Sequence, residues 1–133
     1  MPYEISFRKI EPSDPDIYIN DCCIGGDIVS ACLLPSVREQ YKAILSEQED
    51  WGWFIWFRRG PIRLAIDIFC DDPESGLLRI HLTARRRALL FFDRVVDAAE
   101  IETVKDLVVS ALSGWDVAGL QVTRLGTNLL PLG

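Results

Sequence analysis

A strict alternation in the middle of the chain constrains the fold more than any other feature. Every second position from Ile62 to Cys70 is apolar, and the positions between hold Arg63, Ala65, Asp67 and Phe69. A period of two is that of a β-strand, in which successive side chains point to opposite faces. The segment therefore predicts a strand with one face in the core and one face turned outward.

A second strand precedes it. Residues Trp51–Arg59 are rich in aromatic and β-branched side chains, which favour strands, and Gly60-Pro61 follows as a two-residue turn. Glycine there can adopt the positive φ of a type II′ hairpin. Counting from this turn predicts the register. It sets these outward pairs opposite each other: Arg58 and Arg63, Trp56 and Ala65, Phe54 and Asp67.

The N-terminal third predicts short elements. Tyr3–Phe7 alternates like a half-buried strand, Glu11–Asp16 is rich in turn residues, and Ile17–Ile19 suits a second short strand. Asp27 suits the N-cap of a helix that runs to about Leu34. Because proline disrupts a helix interior, Pro35 predicts the start of a second helix. The apolar stripe of that helix is Val37, Tyr41, Ile44 and Leu45.

The remaining segments complete the pattern. Asp71–Gly76 predicts a turn, residues 78–85 alternate again, and Ala88–Phe92 suits a fourth strand of the meander. Asp97 and Glu100 have the spacing of a capping box before a helix whose buried stripe is Ile101, Val104, Val108, Ala111 and Leu112. Gly114 suits the position after that helix, and Val117–Leu125 suits a final strand.

These segments predict an α+β fold with a mainly antiparallel sheet of about five or six strands, its central meander spanning residues 51–92, and two main helices packed on one face. A chain of 133 residues without a linker or repeat predicts one globular domain over residues 1–133.

Charge is distributed unevenly along the chain. The net charge is −6, yet residues 51–95 carry eight cations and five carboxylates, a local balance of +3. All eight cations are arginines, which pair with carboxylates and phosphates through a planar fork and stack on aromatic rings. They are Arg58, Arg59, Arg63, Arg79, Arg85, Arg86, Arg87 and Arg94.

The predicted register brings aromatic and charged side chains together on the outward side of the sheet. We call this surface the aromatic–arginine face, and its members are Phe54, Trp56, Phe69, Arg58, Arg63, Arg79, Arg85, Asp67 and His81. Aromatic residues with arginines around them are typical of a protein interface. The same set could line a small-ligand pocket, or its rings could simply pack under a loop or the C-terminal tail.

We expect a non-catalytic binding domain that self-associates as a homodimer or holds an acidic protein partner. The alternative is a small-molecule-binding domain or an enzyme in which His81 and Asp67 share a pocket. No nucleophile motif accompanies that pair, so enzyme activity is the less favoured interpretation.

Other classes are excluded from the expectation. The acidic total charge and the absence of an RNA-recognition signature argue against a nucleic-acid partner. The acidic turn of Asp71, Asp72 and Glu74 lacks the spacing of a calcium loop, so we expect no metal and no cofactor. Without a signal peptide, a membrane-length apolar run or a disulfide pattern, the sequence predicts a cytoplasmic protein that does not enter membranes.

Overall fold

The protein is described by a computed structural model that covers residues 1–10, 17–89 and 92–132. Within these ranges, seven strands and two longer helices follow one another along the chain, and a short 3-10 helix at Asp21–Cys23 precedes the first of those helices. In order they are β1 (Tyr3–Arg8), α1 (Gly26–Gln40), β2 (Leu45–Glu49), β3 (Gly52–Arg59), β4 (Ile62–Asp72), β5 (Leu77–Leu89), β6 (Phe92–Val96), α2 (Glu100–Gly114) and β7 (Ala118–Arg124).

All seven strands form one antiparallel sheet in the order β2-β3-β4-β5-β1-β7, and β6 pairs with the far half of β5. The predicted α+β class is confirmed. Strand β1 lies inside the sheet, between β5 and β7, although it is the first strand in the chain. The described part of the chain contains no helix with both the length and the apolar character needed to cross a membrane.

The predicted register of the central hairpin is confirmed at every pair. Arg59 pairs with Ile62, Arg58 with Arg63, and Trp56 with Ala65, while Gly60 in the turn has φ +59°. The inward positions of β3, β4 and β5 pack against both helices and form the core. Its largest fully buried members on these strands are Ile55, Phe57, Leu64, Ile66, Ile68, Ile80 and Leu82.

Strand β5 is longer than predicted, and its far end forms an arm. β5 pairs with β4 on one side, whereas on the other side it pairs first with β1 and then with β6. The prediction of a separate strand at Ala88–Phe92 is wrong, because β5 continues to Leu89 and the next strand begins at Phe92. Residues 90 and 91 of the predicted strand lie outside the described residues.

The predicted break at Pro35 is also wrong. Helix α1 continues through Pro35, because Val29, Leu33 and Val37 pack into the core on one side of an unbroken helix. Pro35 and the residue one turn earlier, Ala31, are both exposed, so water can satisfy the carbonyl that proline leaves without an amide donor.

Two other predictions about this region fail. Gly25, with φ +84°, caps α1 instead of Asp27, which lies in the first turn and accepts a hydrogen bond from the Tyr18 hydroxyl at 2.6 Å. Ile44 lies beyond the helix and Leu45 opens the edge strand β2, where predicted helix gives way to strand pairing with β3.

The predicted cap of the last helix is wrong as well. Ala99 precedes α2 and makes no side-chain capping bond, while Asp97 pairs with the N-terminal ammonium group. Gly114 is the last residue of α2, not the residue beyond its end, and Asp116 takes the positive φ, at +61°. The stripe itself is confirmed, since Ile101, Val104, Val108 and Leu112 are buried and Ala111 packs at its margin.

The predicted strand at Ile17–Ile19 does not form. Both isoleucines are exposed, and the segment is held by the Gln48 side chain, which accepts from the Ile19 amide at 2.8 Å and donates to the Ile17 carbonyl at 3.0 Å. The predicted turn at Glu11–Asp16 lies outside the described residues.

Gly52 lies where the β2–β3 hairpin packs closely on β4. A Cβ at Gly52 would lie 2.0 Å from the Ile68 carbonyl oxygen, and its φ is +153°, whereas a Cβ at Gly114 meets no atom within 4 Å. We expect Gly52→Ala to lower the free energy of unfolding by about 2–3 kcal/mol. We expect Gly114→Ala to raise it by up to about 1 kcal/mol. Urea denaturation measures both, and equal effects would contradict the close approach.

Candidate functional site

The aromatic–arginine face assembles on the side of the sheet opposite the helices. Its members come from three adjacent strands, since Phe54, Trp56 and Arg58 lie on β3, Arg63, Asp67 and Phe69 on β4, and Arg79, His81 and Arg85 on β5. The period of two alone sends all nine side chains to this side, because their neighbours in sequence fill the core.

The rings of the face form one contiguous cluster. Phe54 stacks on Trp56 with ring centroids 4.0 Å apart, and it is only 2% exposed although no helix covers it. Its cover is Trp51, whose ring lies 6.5 Å from that of Phe54 and 5.2 Å from that of Phe69. Trp51 was predicted to start the strand Trp51–Arg59 and was not assigned to the face, whereas the structure places it in the turn before β3.

Asp67 is a buried carboxylate at the centre of this cluster. It is 8% exposed, and its Oδ1 accepts a hydrogen bond from the Trp56 indole Nε1 at 3.0 Å. Burial raises the pKa of the Asp67 carboxyl above its ordinary value of 3.8, against the opposing effects of that hydrogen bond and of Arg85, His81 and Arg63 nearby. Burial of the Asp67 carboxylate among these rings therefore costs free energy of folding.

His81 pairs with Asp67 across the strands, as predicted, but its ring is bonded elsewhere. The Nε2 atom lies 3.0 Å from Glu4 Oε1 and 3.0 Å from Arg79 Nη1. Arg79 also holds Asp71 through two hydrogen bonds, of 3.0 and 3.2 Å. Asp67 therefore does not orient His81 as a general base, because the Asp67 carboxylate accepts from Trp56 and the described bonds of His81 go to Glu4 and Arg79.

The opposite end of the face carries unneutralised positive charge. Arg58 pairs with Arg63 across β3 and β4, and Arg63 pairs with Arg85 across β4 and β5. We call these three residues the arginine row. The Cβ atoms of directly opposite residues are about 5 Å apart, and like charges at such positions are destabilising. Among the described residues, Arg63 alone in the row has a carboxylate within ion-pair distance, Asp93 at 3.2 Å.

Three depressions lie on this face, and Trp56 lines two of them. The Leu45 groove, of about 440 Å³, is lined by Ala43, Leu45, Trp56, Phe57, Arg58 and Arg63. The Asp67 cleft, of about 420 Å³, is lined by Glu49, Trp51, Trp56, Asp67, Phe69 and Arg85. The cationic groove, of about 340 Å³, is lined by Arg58, Pro61, Arg63, Arg85, Arg87 and Asp93. The Arg63 guanidinium lies 4.8 Å from the centre of the Trp56 ring, and this ring separates the Leu45 groove from the cleft.

Metal-binding clusters, reactive thiols and buried hydroxyls are the other features relevant to chemistry in the described part of the chain. Among the described residues, no group of three His, Cys, Asp or Glu side chains is arranged to hold a metal ion. The four cysteines are free thiols, and burial raises the pKa of Cys70 to about 11, which makes it a poor nucleophile. Thr83, between His81 and Arg85 on β5, has a buried hydroxyl with no described partner.

Comparisons with protein-family models, with curated proteins and with solved structures found no match to this chain. A function for this chain must therefore be inferred from the residues of the face themselves.

The raised pKa of Asp67 predicts the direction in which stability changes with pH. The folded protein binds the Asp67 proton more tightly than the unfolded chain does, so ionisation reduces stability as the pH rises above about 3.8. Asp67→Asn keeps an oxygen acceptor for Trp56 and removes the charge. We expect a higher Tm than wild type at pH 7, and a difference that disappears below pH 3.8.

Thermal melts between pH 3 and pH 8 measure this difference, with the exposed Asp50→Asn as control. If the Tm of the Asp67→Asn variant stays below that of wild type at neutral pH, the ionised Asp67 carboxylate does not destabilise the fold.

The arginine row predicts an unusual effect on stability. Arg58→Gln removes one like charge from the row, so we expect it to raise the free energy of unfolding by about 0.2–1 kcal/mol at low salt. The gain should vanish in about 1 M salt, where charges are screened within about 3 Å. Arg59→Gln is the matched control and should destabilise, because Arg59 pairs with Glu100 at 3.5 Å and lies over the Tyr41 ring.

Proposed function

We propose that the protein is a non-catalytic binding domain and that the arginine-row end of the aromatic–arginine face holds an acidic segment of a protein partner. The observation that carries this proposal is the arginine row itself, with three arginines at paired positions of β3, β4 and β5 beside the half-exposed Trp56. Among the described residues only Arg63 of the row has a carboxylate within ion-pair distance, so Arg58 and Arg85 are available to a partner. Carboxylates from a partner would form charge-assisted pairs with the row and remove the repulsion.

The Leu45 groove provides a place for an apolar side chain of the partner next to these charges. Leu45 is 50% exposed on the edge strand β2 and lies across from Trp56, so the two side chains form an apolar wall beside Arg58 and Arg63. Anchors of this kind, with arginine and tryptophan around a filled pocket, carry most of the energy of protein interfaces. The partner segment therefore combines an apolar side chain with flanking carboxylates.

Charge favours such a partner over a second copy of the chain. In a twofold dimer the same patch meets itself. A dimer centred on the arginine row would bring two copies of that row together and add to the repulsion. Homodimerisation is thus an outcome that the experiment below must distinguish. We also propose a cytoplasmic location, which the four free thiols support because thiols stay reduced there.

A small-molecule site is the second candidate function. The Asp67 cleft favours it, since its volume of about 420 Å³ and its three aromatic walls suit a ligand smaller than a protein segment.

Four variants test the protein-partner proposal in capture from source-cell lysate. We expect Leu45→Asp and the double variant R58Q/R85Q to lose, by at least about tenfold, a protein that wild type retains. The matched control R86Q/R94Q removes the same charge from the other side of the β5–β6 arm, where Arg86 pairs with Arg94, and should retain it. Trp56→Phe separates ring stacking from the indole bond to Asp67 and should lose only part of the binding.

Binding should weaken as salt increases, and sedimentation should find wild type monomeric without the partner. Capture that is unchanged in R58Q/R85Q, or a wild-type dimer that dissociates in Leu45→Asp, would reject the acidic partner.

A further inference from the structure

The Asp67 cleft has the walls of a site for a flat ring. Trp51 and Phe69, whose ring centroids are 5.2 Å apart, line the cleft together with Trp56, which stacks on Phe54 at 4.0 Å. Small-ligand sites typically enclose about 300–1,000 Å³ and are lined mainly by apolar and aromatic side chains. Rings that are already packed against one another stay in place when a planar ligand stacks on them.

At the floor of the cleft, the Asp67 carboxylate favours a ligand ring that carries a hydrogen-bond donor. Asp67 Oδ1 accepts from Trp56, while its Oδ2 makes no hydrogen bond to the described residues. An ionised carboxylate accepts but does not donate, so the complementary ligand group is an N–H or O–H. Arg85 and Arg63 already place positive charge around Asp67, which disfavours a cationic ligand and favours a neutral ring that bears N–H groups.

The far end of the cleft specifies an anion. Arg85 lines both the cleft and the cationic groove, so the two spaces share one guanidinium group. Asp67 and Arg63 are four residues apart on β4, which places their backbone positions about 13 Å apart. A ligand that spans this distance would present its ring to Asp67 and its anionic group to Arg85 and the rest of the arginine row.

We infer that the Asp67 cleft binds a small molecule that joins an amino-substituted heteroaromatic ring to an anionic group, the chemistry of a nucleoside monophosphate. The inference rests on the proposed function only in treating the aromatic–arginine face as a binding surface. It adds a small-ligand subsite on the side of Trp56 away from Leu45. The ring stacks between the aromatic walls, its amino group donates to Asp67, and its phosphate pairs with Arg85.

The test titrates the full-length protein with AMP, GMP and CMP, and follows tryptophan fluorescence together with the shift in Tm. At least one of the three should quench the fluorescence with saturation below 1 mM and raise the Tm. Purine riboside 5′-monophosphate lacks the amino group of AMP. If AMP is the ligand, this analogue should bind about tenfold more weakly. Ribose 5-phosphate should cause no quenching, because it has no ring to stack.

Protein variants separate the two ends of the ligand. Asp67→Asn should weaken binding of AMP by about tenfold and leave binding of purine riboside 5′-monophosphate almost unchanged. Arg85→Gln should weaken both ligands alike, and the control Arg86→Gln should weaken neither. Melting curves of the free variants establish that each is folded.

Two results would overturn the inference. If ribose 5-phosphate binds as tightly as the nucleotides, the cleft recognises only an anion and not a ring. If no nucleotide binds below about 1 mM, the cleft is not a nucleotide site. Neither result decides the protein-partner proposal, because capture that depends on Leu45 and Arg58 is measured without added nucleotide. Conversely, nucleotide binding with no captured protein would support the subsite and reject the acidic partner.

Discussion

The antiparallel register of β3, β4 and β5 is the constraint on which the rest of the molecule depends. These strands commit every inward position to the core under two helices, and a shift of one residue would place those apolar side chains in water. The outward residues are therefore aligned by the needs of the core. The alignment of Arg58, Arg63 and Arg85 and the burial of Asp67 are both consequences of this register.

The two ends of the outward face differ in how their charges are compensated. Arg79 pairs with Asp71 at 3.0 Å and lies 3.8 Å from Glu4, so the guanidinium at its end of the face is compensated within the molecule. The arginine row, by contrast, has one described carboxylate partner for three guanidinium groups. Because both ends lie on the same three strands, the difference comes from the flanking elements. The strands supply the positions, and carboxylates of β1, of β6 and at the end of β4 decide which cations remain available.

Local signals predicted the central hairpin and its face because alternation and a two-residue turn determine register by counting. The same reasoning could not find Glu4, whose place beside the face follows from pairing of β5 with the distant β1. It could not find Asp93 because the end of β5 and the start of β6 were predicted as one strand at Ala88–Phe92. Trp51 was missed because it was predicted as part of the strand Trp51–Arg59, whereas it lies in the turn before β3. Pro35 was misread as a helix boundary, since the packing of Leu33 and Val37 outweighs one lost hydrogen bond.

The position of β1 inside the sheet has a consequence for synthesis on the ribosome. Residues 3–8 leave the ribosome before every other described strand, yet their two neighbours are residues 77–82 and 118–124. One edge of β1 stays unpaired until β5 has emerged, and the other edge stays unpaired until β7 has emerged. Such long-range pairing is slow and leaves strand edges open to other chains. A chain cut short before β7 would leave one edge of β1 open permanently, so quality control in the cell has a structural feature by which to distinguish finished from unfinished copies.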